Sequence, residues 1–102
     1  MVEIYIKDFT TSPGGRYEKE GNFSGEEFRT KFLEPHFSSG LEEKIDIYLD
    51  GTEGYPSSFL EEAFGGLVRK IGNKEAVKNK LNFITNDSIL KIEIQNYIEK
   101  AL

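Results

Sequence analysis

The stretch that most constrains the fold is DGTEGYPSSFLEEAFGGLVR, residues 50–69. Up to the paired serines it is rich in glycine, proline and serine, which is typical of a tight loop. Beyond them, apolar residues recur with a period of about 3.6, which predicts an amphipathic helix. Ser58 and Glu61 have the spacing of a capping box, and Gly72 is suited to end the helix. The apolar face of this helix consists of Phe59, Leu60, Ala63, Phe64, Leu67, Val68 and Ile71.

Other segments alternate in the manner of β-strands. Residues 44–50 combine alternation with β-branched and aromatic side chains, which predicts a strand near the middle of a sheet. Alternation at the N-terminus, where Val2, Ile4 and Ile6 are separated by polar residues, predicts another strand. Residues 81–85 are expected to form a third. The turn residues TTSPGG at 10–15 would allow residues 16–19 to return as a further short strand.

The remaining segments carry helical signals. Ser24 and Glu27 form a second capping box, and Pro35 disfavours helical geometry at Glu34, so a helix is expected between these points. Residues 38–40 are expected to form a loop, and residues 74–80 a short helical turn. The C-terminal segment follows a cap at 86–88 and is expected to be a helix because of its length. Leu90, Ile94, Tyr97, Ile98 and Ala101 fit that helix, whereas Leu90, Ile92 and Ile94 alone would fit a strand.

The order of these elements defines the expected fold class. It predicts an α/β (α+β) protein with a small mixed β-sheet of about four strands and helices packed against it. A chain of 102 residues, 37% of them hydrophobic, is long enough for one core, so we expect a single domain over residues 1–102.

The composition excludes several classes of function. The chain has no cysteine and one histidine, so disulfides, thiolate metal sites and sites of several imidazoles are not expected. The net charge of −5 and the absence of a basic block argue against nucleic-acid binding. No apolar run reaches the length of a membrane span, and the start MVEIYIKDF does not resemble a signal peptide. We therefore expect a cytoplasmic location and no membrane association.

The sequence offers little catalytic chemistry. The pairs Glu26–Glu27 and Glu61–Glu62 are adjacent in sequence, and adjacent helical residues point in different directions. No motif supplies a nucleophile together with its base, and the glycine-rich segments do not match nucleotide-binding loops. We therefore expect no enzyme activity, no metal and no cofactor.

Residues 50–69, together with PGGR at 13–16 and GNFSGEEFR at 21–29, resemble the bacterial STAS-like domains of unknown function. A serine-containing loop that leads into a helix of the type SFLEEAFGGLV is typical of that family. The resemblance implies a STAS-like fold over most of the chain.

A more distant similarity links the chain to the STAS domains of anti-sigma factor antagonists. That similarity implies that Ser57 or Ser58 occupies the position of a regulatory serine, phosphorylated by a partner kinase of the histidine-kinase-like ATPase class. Pro56 and Phe59 replace the aspartate and glycine usual in the antagonists. The implied activity is docking of an ATPase- or kinase-like protein, and the implied docking residues are Asp50, Gly51, Tyr55, Pro56, Glu61, Glu62, Gly65, Gly66 and Arg69.

Alternatives remain for the same residues. Serine before a helix is often an ordinary cap, and Gly65–Gly66 would admit close approach by either the sheet or a partner. The helix start at Ser57–Ser58 would also suit a small-ligand or anion sensor assisted by Arg16 or Arg29. A third alternative is a structural domain that forms a homo-oligomer through a strand edge. The oligomeric state is not indicated by the sequence.

Overall fold

Three strands form a parallel sheet at the centre of the fold. In the computed structural model, which describes residues 2–38 and 43–101, these are β1 (Val2–Tyr5), β2 (Ile45–Tyr48) and β3 (Leu81–Ile84). Their order is β1-β2-β3, so the strand predicted for the middle of the sheet does lie there. Both pairings are parallel, and Ile47 of β2 pairs with Ile4 and with Phe83.

The two faces of the sheet differ in chemistry. Side chains alternate along each strand, so the paired residues Ile4, Ile47 and Phe83 share one face. They are buried and belong to the hydrophobic core with the apolar faces of the helices. The opposite face carries Glu3, Tyr5, Asp46, Tyr48, Asn82 and Ile84. On it Tyr5 and Tyr48 stack with their ring centroids 4.2 Å apart.

The first connection, which joins β1 to β2, differs most from the structure predicted from the sequence. After α1 (Ile6–Phe9), residues 16–19 do not form a strand, and the chain makes a 3₁₀-helix at Glu18–Glu20. The carboxylate of Glu20 accepts hydrogen bonds from the backbone N–H groups of Arg16 and Tyr17, which bends this segment into a turn. The sheet of the described residues therefore has three strands, all parallel, and not about four in mixed orientation.

The predicted helix at Ser24 is present and continues further than expected. The Oγ of Ser24 caps the helix by accepting a hydrogen bond from the backbone N–H of Glu27 at 3.0 Å, but the Glu27 carboxylate accepts from the N–H of Phe23 and so does not complete the predicted capping box. The helix consists of α2 (Gly25–Phe28), a first π turn (Arg29–Leu33) and, after Glu34, α3 (Pro35–Ser38). Glu34 retains right-handed helical angles although proline follows it, and Pro35 begins a new helix, where its missing N–H is not needed. Of the predicted loop at 38–40, Ser38 is helical and the rest lies outside the described residues.

The second connection confirms the helix predicted from residues 59–71. This helix consists of α4 (Ser57–Leu60), a second π turn (Glu61–Gly65) and α5 (Gly66–Ile71), and Gly72 ends it in the left-handed conformation. The predicted capping box of Ser58 and Glu61 is wrong. The helix begins two residues earlier, with Pro56 at the cap position, so Ser58 already lies within the first turn.

The C-terminal elements follow the prediction. Asn73 caps α6 (Lys74–Lys80) by accepting the N–H of Ala76, and β3 follows it directly. The ambiguous final segment is a helix, α7 (Ser88–Glu99), which is capped by Asp87. Ile94 and Ile98 of α7 are buried in the core.

Candidate functional site

The two serines lie at the exposed start of the helix at residues 57–71. Ser57 is exposed and Ser58 is half-buried. No side chain caps the first turn of this helix. The backbone N–H groups of Phe59 and Leu60 donate to the carbonyl oxygen of Pro56. The Ser57 hydroxyl interacts with the phenol of Tyr97, which also donates a hydrogen bond to Glu93 at 2.8 Å. Ser57 is therefore an exposed residue whose side chain does not act as a helix cap.

The loop before these serines is anchored at both ends. At its start, the carboxylate of Asp50 accepts hydrogen bonds from the Thr85 hydroxyl and from the Asn86 backbone N–H. These bonds lower the pKa of Asp50 and keep it ionised. At its end, the Tyr55 hydroxyl donates to the backbone carbonyl of Leu49 at 2.6 Å. Burial raises the pKa of Tyr55 to about 12.

Gly51 is required within this loop. It adopts a φ of +99°, which L side chains rarely tolerate, and a Cβ there would lie 2.8 Å from Cδ of Lys7. The side chain of Lys7 thus covers one side of the loop backbone.

The helix that carries the serines is joined to the first connection by an arginine–glutamate network. Arg16 bonds to Glu61 at 2.5 Å and lies 3.3 Å from Glu62. Arg69, 8 residues further along the same helix, bonds to Glu61 at 2.7 Å. Glu61 therefore lies between the guanidinium groups of Arg16 and Arg69, which are far apart from each other in the sequence.

The inner part of the network is largely buried. Arg29 forms an ion pair with Glu62 and a second one with Glu34 at 2.8 Å. Burial alone would lower the pKa of Arg29, but its hydrogen bonds to these two carboxylates raise it. Arg29 and Glu34 are five residues apart, a spacing that brings side chains together in a π turn, where the Glu34 N–H bonds to the Arg29 carbonyl at 2.9 Å.

The network shows which groups Arg16 and Arg29, the predicted anion contacts, bind in the structure. Arg16, Arg29 and Arg69 do converge, as a shared anion site would require, but they converge on Glu61, Glu62 and Glu34 of the same chain. An anion at Arg16 or Arg29 would have to displace a carboxylate that is already in place. This arrangement favours a structural role for both arginines.

The glycine pair in this helix is explained by contacts within the chain. A Cβ at Gly66 would lie 2.5 Å from Nη1 of Arg29, and one at Gly65 would lie 2.5 Å from a carboxylate oxygen of Glu61. Both glycines are buried, and so is Glu62. Among the residues predicted to dock a partner, those at the surface are therefore Asp50, Gly51, Pro56 and Arg69, with Tyr55 and Glu61 half-buried.

Several residues near the loop were not singled out by the sequence. A cleft of about 470 Å³ separates the loop from the start of α7, and Asp87, Ile89, Leu90 and Glu93 line its far side. In the sequence these residues only suggested a cap and an amphipathic helix. Glu34 was also missed, since its spacing from Arg29 becomes meaningful only once a π turn is present.

The comparisons with known proteins bear on the family alone. No curated protein and no solved structure showed significant similarity to the chain. Across the part of the chain that the structure describes, we find no helix that is both long and apolar enough to traverse a bilayer. Residues 24–90 match a family described as STAS-like domain of unknown function (DUF4325), and the match includes both π turns, the loop and the two serines. With this match over most of its length and with a STAS-like arrangement of helices on a small sheet, the chain belongs to the family of STAS-like domains of unknown function.

Proposed function

We propose that this protein is a regulatory binding module that docks an ATPase- or kinase-like protein, with docking controlled by phosphorylation at Ser57 or Ser58. The observation that carries the proposal is the exposed position of Ser57 at the start of a helix, directly after an anchored loop. The docking surface consists of the loop at residues 50–56 and the first turn of the helix.

The surroundings of the serines support a role in recognition. The Tyr55–Leu49 and Asp50–Asn86 hydrogen bonds hold the loop in one conformation before a partner arrives. Preorganisation of this kind reduces the entropy lost on binding. The buried Arg29–Glu62 pair likewise holds the helix at residues 57–71 in a defined position.

Phosphorylation would change this surface through charge. A phosphate adds about −1.5 to −2 charges, and the free amides of a helix start favour an anion by about 0.3–1 kcal/mol. The added charge would lie one turn from Glu61, on a chain that already has a net charge of −5. A partner that binds the unmodified surface would therefore meet a different potential after modification, and docking would be switched.

Mass spectrometry tests the modification. Trypsin cleaves after Lys44 and Arg69, so both serines lie on one peptide, residues 45–69. In protein isolated from its native cells, or incubated with a histidine-kinase-like ATPase encoded nearby, we expect a phosphate on this peptide that is lost when both Ser57 and Ser58 are replaced by alanine. An unmodified peptide under both conditions would contradict the proposal that phosphorylation controls docking.

A pull-down tests docking. The wild-type chain is expected to recover an ATPase of the histidine-kinase-like class, and Ser57→Asp is expected to change that recovery at least about fivefold, because the added negative charge alters the potential that the partner meets. Ser38→Asp is the matched control, because Ser38 is also exposed and helical but lies outside the docking surface. Gly66→Glu would be a poor probe, since its side chain would collide with Arg29. Equal recovery by all variants would contradict docking through this surface.

A further inference from the structure

The cleft between the loop and α7 has an unusual combination of apolar and acidic lining. Ile89 is 78% exposed, more than the other exposed large apolar residues Tyr17, Phe23 and Ile92. Isoleucine is among the residues most often found inside proteins, and this one stands open to solvent at the edge of a cleft. Leu90 continues the apolar wall inward.

Three carboxylates surround these apolar side chains, namely Asp50, Asp87 and Glu93. Each is held by bonds within the chain: Asp50 by Asn86, Asp87 by the backbone N–H groups of Ile89 and Leu90, and Glu93 by the Tyr97 hydroxyl. A carboxylate has about four acceptor positions, so all three retain capacity for further donors.

No lysine or arginine lines this cleft in the described part of the chain. The side chain of Lys7 covers Gly51 from outside, and its ammonium group lies 6.0 Å from the ring of Tyr5 on the open face of the sheet. Within residues 2–38 and 43–101, no group of three acidic or histidine side chains is arranged to hold a metal ion. The cleft therefore suits an extended cationic ligand and does not suit a single ion.

We infer that this cleft receives a basic, amphipathic segment of the partner protein, with an apolar side chain against Ile89 and Leu90 and arginine or lysine side chains against Asp50, Asp87 and Glu93. The inference rests on the proposed docking function and specifies the chemistry of the partner. Charge complementarity selects this occupant over a second copy of the chain. A two-fold dimer through the cleft would oppose carboxylate to carboxylate on a protein with a net charge of −5.

The test uses ¹⁵N-labelled protein and a synthetic probe. The probe is an amidated peptide of leucine and arginine with helical spacing, and its control has glutamate in place of every arginine. We expect the basic peptide to shift the amide resonances of residues 50–55 and 87–93, and to bind more weakly as salt is added. Binding of the acidic peptide with equal affinity, or shifts confined to other surfaces, would overturn the inference.

Variants identify the residues responsible. Ile89→Ser is expected to weaken binding of the basic peptide about tenfold, through the apolar contact that is lost. Glu93→Gln is expected to weaken it about threefold, because the amide keeps an acceptor for Tyr97 but removes the charge. Ile92→Ser is the matched control, since Ile92 is 56% exposed on the same helix but lies outside the cleft lining. Circular dichroism of each variant checks that α7 is intact. Equal losses for Ile89→Ser and Ile92→Ser would contradict the assignment.

The same variants separate this inference from the proposed function. If the basic peptide binds the cleft but the wild-type chain recovers no ATPase, the proposed function is contradicted and the inference about the cleft is supported. If the ATPase is recovered equally by wild type, Ile89→Ser and Glu93→Gln, the cleft fails and the proposed function stands. A dimer in sedimentation experiments that Ile89→Ser abolishes would mean that a second copy fills the cleft, which would also overturn the inference.

Discussion

Arg29 donates from the same nitrogen, Nη1, to the carboxylate of Glu62 and, over 3.0 Å, to the backbone carbonyl oxygen of Glu62. The two side chains are only 11% and 10% exposed. They belong to the two π turns, which lie against each other between the first and second connections of the fold. Because both charges are largely removed from water, each depends on the other for compensation.

Breaking this pair is expected to destabilise the protein strongly. Glu62→Ala leaves the Arg29 charge with one carboxylate partner in a buried site, and we expect the free energy of unfolding to fall by about 3 kcal/mol. Urea denaturation followed by circular dichroism measures this. Lys31→Ala is the control, because Lys31 is 60% exposed in its pair with Glu27, and its removal is expected to cost less than about 1 kcal/mol. Similar losses in the two variants would contradict the burial argument.

Gly25→Ala is expected to destabilise the contact between α2 and α4. A Cβ at Gly25 would lie 2.3 Å from the carbonyl oxygen of Phe59, a backbone atom that cannot rotate away. We expect a loss of about 2 kcal/mol, as for overpacking in a core. Gly15→Ala serves as the comparison, since its Cβ would lie 3.3 Å from a carboxylate oxygen of Glu20, a longer distance and to a side-chain atom. Thermal denaturation of both variants checks the difference, and an unchanged melting temperature for Gly25→Ala would show that the helices can separate without cost.

Acid is expected to weaken the arginine–glutamate network through Glu61. The Arg69 guanidinium, followed by that of Arg16, holds the pKa of Glu61 below its ordinary value of 4.5. The folded state thus binds this proton less readily than the unfolded state, so the stabilisation is complete above a pH of about 4.5 and is lost as the pH falls through the lower folded pKa. Urea titrations across this range should show the loss.

Glu61→Gln is expected to make the acid side of that stability profile shallower. Glu75→Gln is the matched control, since Glu75 is 68% exposed, and it is expected to leave the profile close to that of the wild type. A profile that Glu61→Gln does not alter would mean that other carboxylates govern acid unfolding.

Tyr55→Phe is expected to loosen the loop before Ser57. The change leaves the Leu49 carbonyl without its hydrogen bond from Tyr55 and should lower the free energy of unfolding by about 1 kcal/mol. Tyr48→Phe is the comparison, because its exposed hydroxyl bonds to Glu3 at 3.2 Å and should matter less. In ultraviolet absorbance titrations Tyr55→Phe should lose one phenol that ionises near a pH of about 12, the pKa to which burial raises the Tyr55 hydroxyl. Wild-type stability for Tyr55→Phe would contradict an anchored loop.

Much of the secondary structure was predictable because its signals are local. The alternation around β2 and the apolar period of residues 59–71 identified both elements correctly, since the neighbours that decide burial lie within a few positions. Ser24 was a reliable helix start for the same reason. The predicted strand at 16–19 failed because Glu20 draws the N–H groups of Arg16 and Tyr17 into a turn, a competing local contact that alternation does not reveal.

The site was predictable in position but not in its contacts. The loop before Ser57 and the helix after it were located from turn and helix signals alone. Arg16 and Arg29, by contrast, were candidates for contact with an anion in one alternative, and they meet Glu61, Glu62 and Glu34 instead. Arg16 and Glu61 are 45 residues apart in sequence, so no local pattern relates them.

The sequence by itself determined where most of the strands and helices run, which face of each is apolar, and where a hydroxyl-bearing loop enters a helix. Only the tertiary structure decided which charges neutralise one another, why positions 65 and 66 leave no room for a side chain, and that Ile89 is exposed beside three carboxylates. The physical reason is that periodicity is set by backbone geometry over a few residues, whereas the energy of a charge depends on its distance from other charges and on its burial. Both of those quantities exist only after the connections have folded against each other.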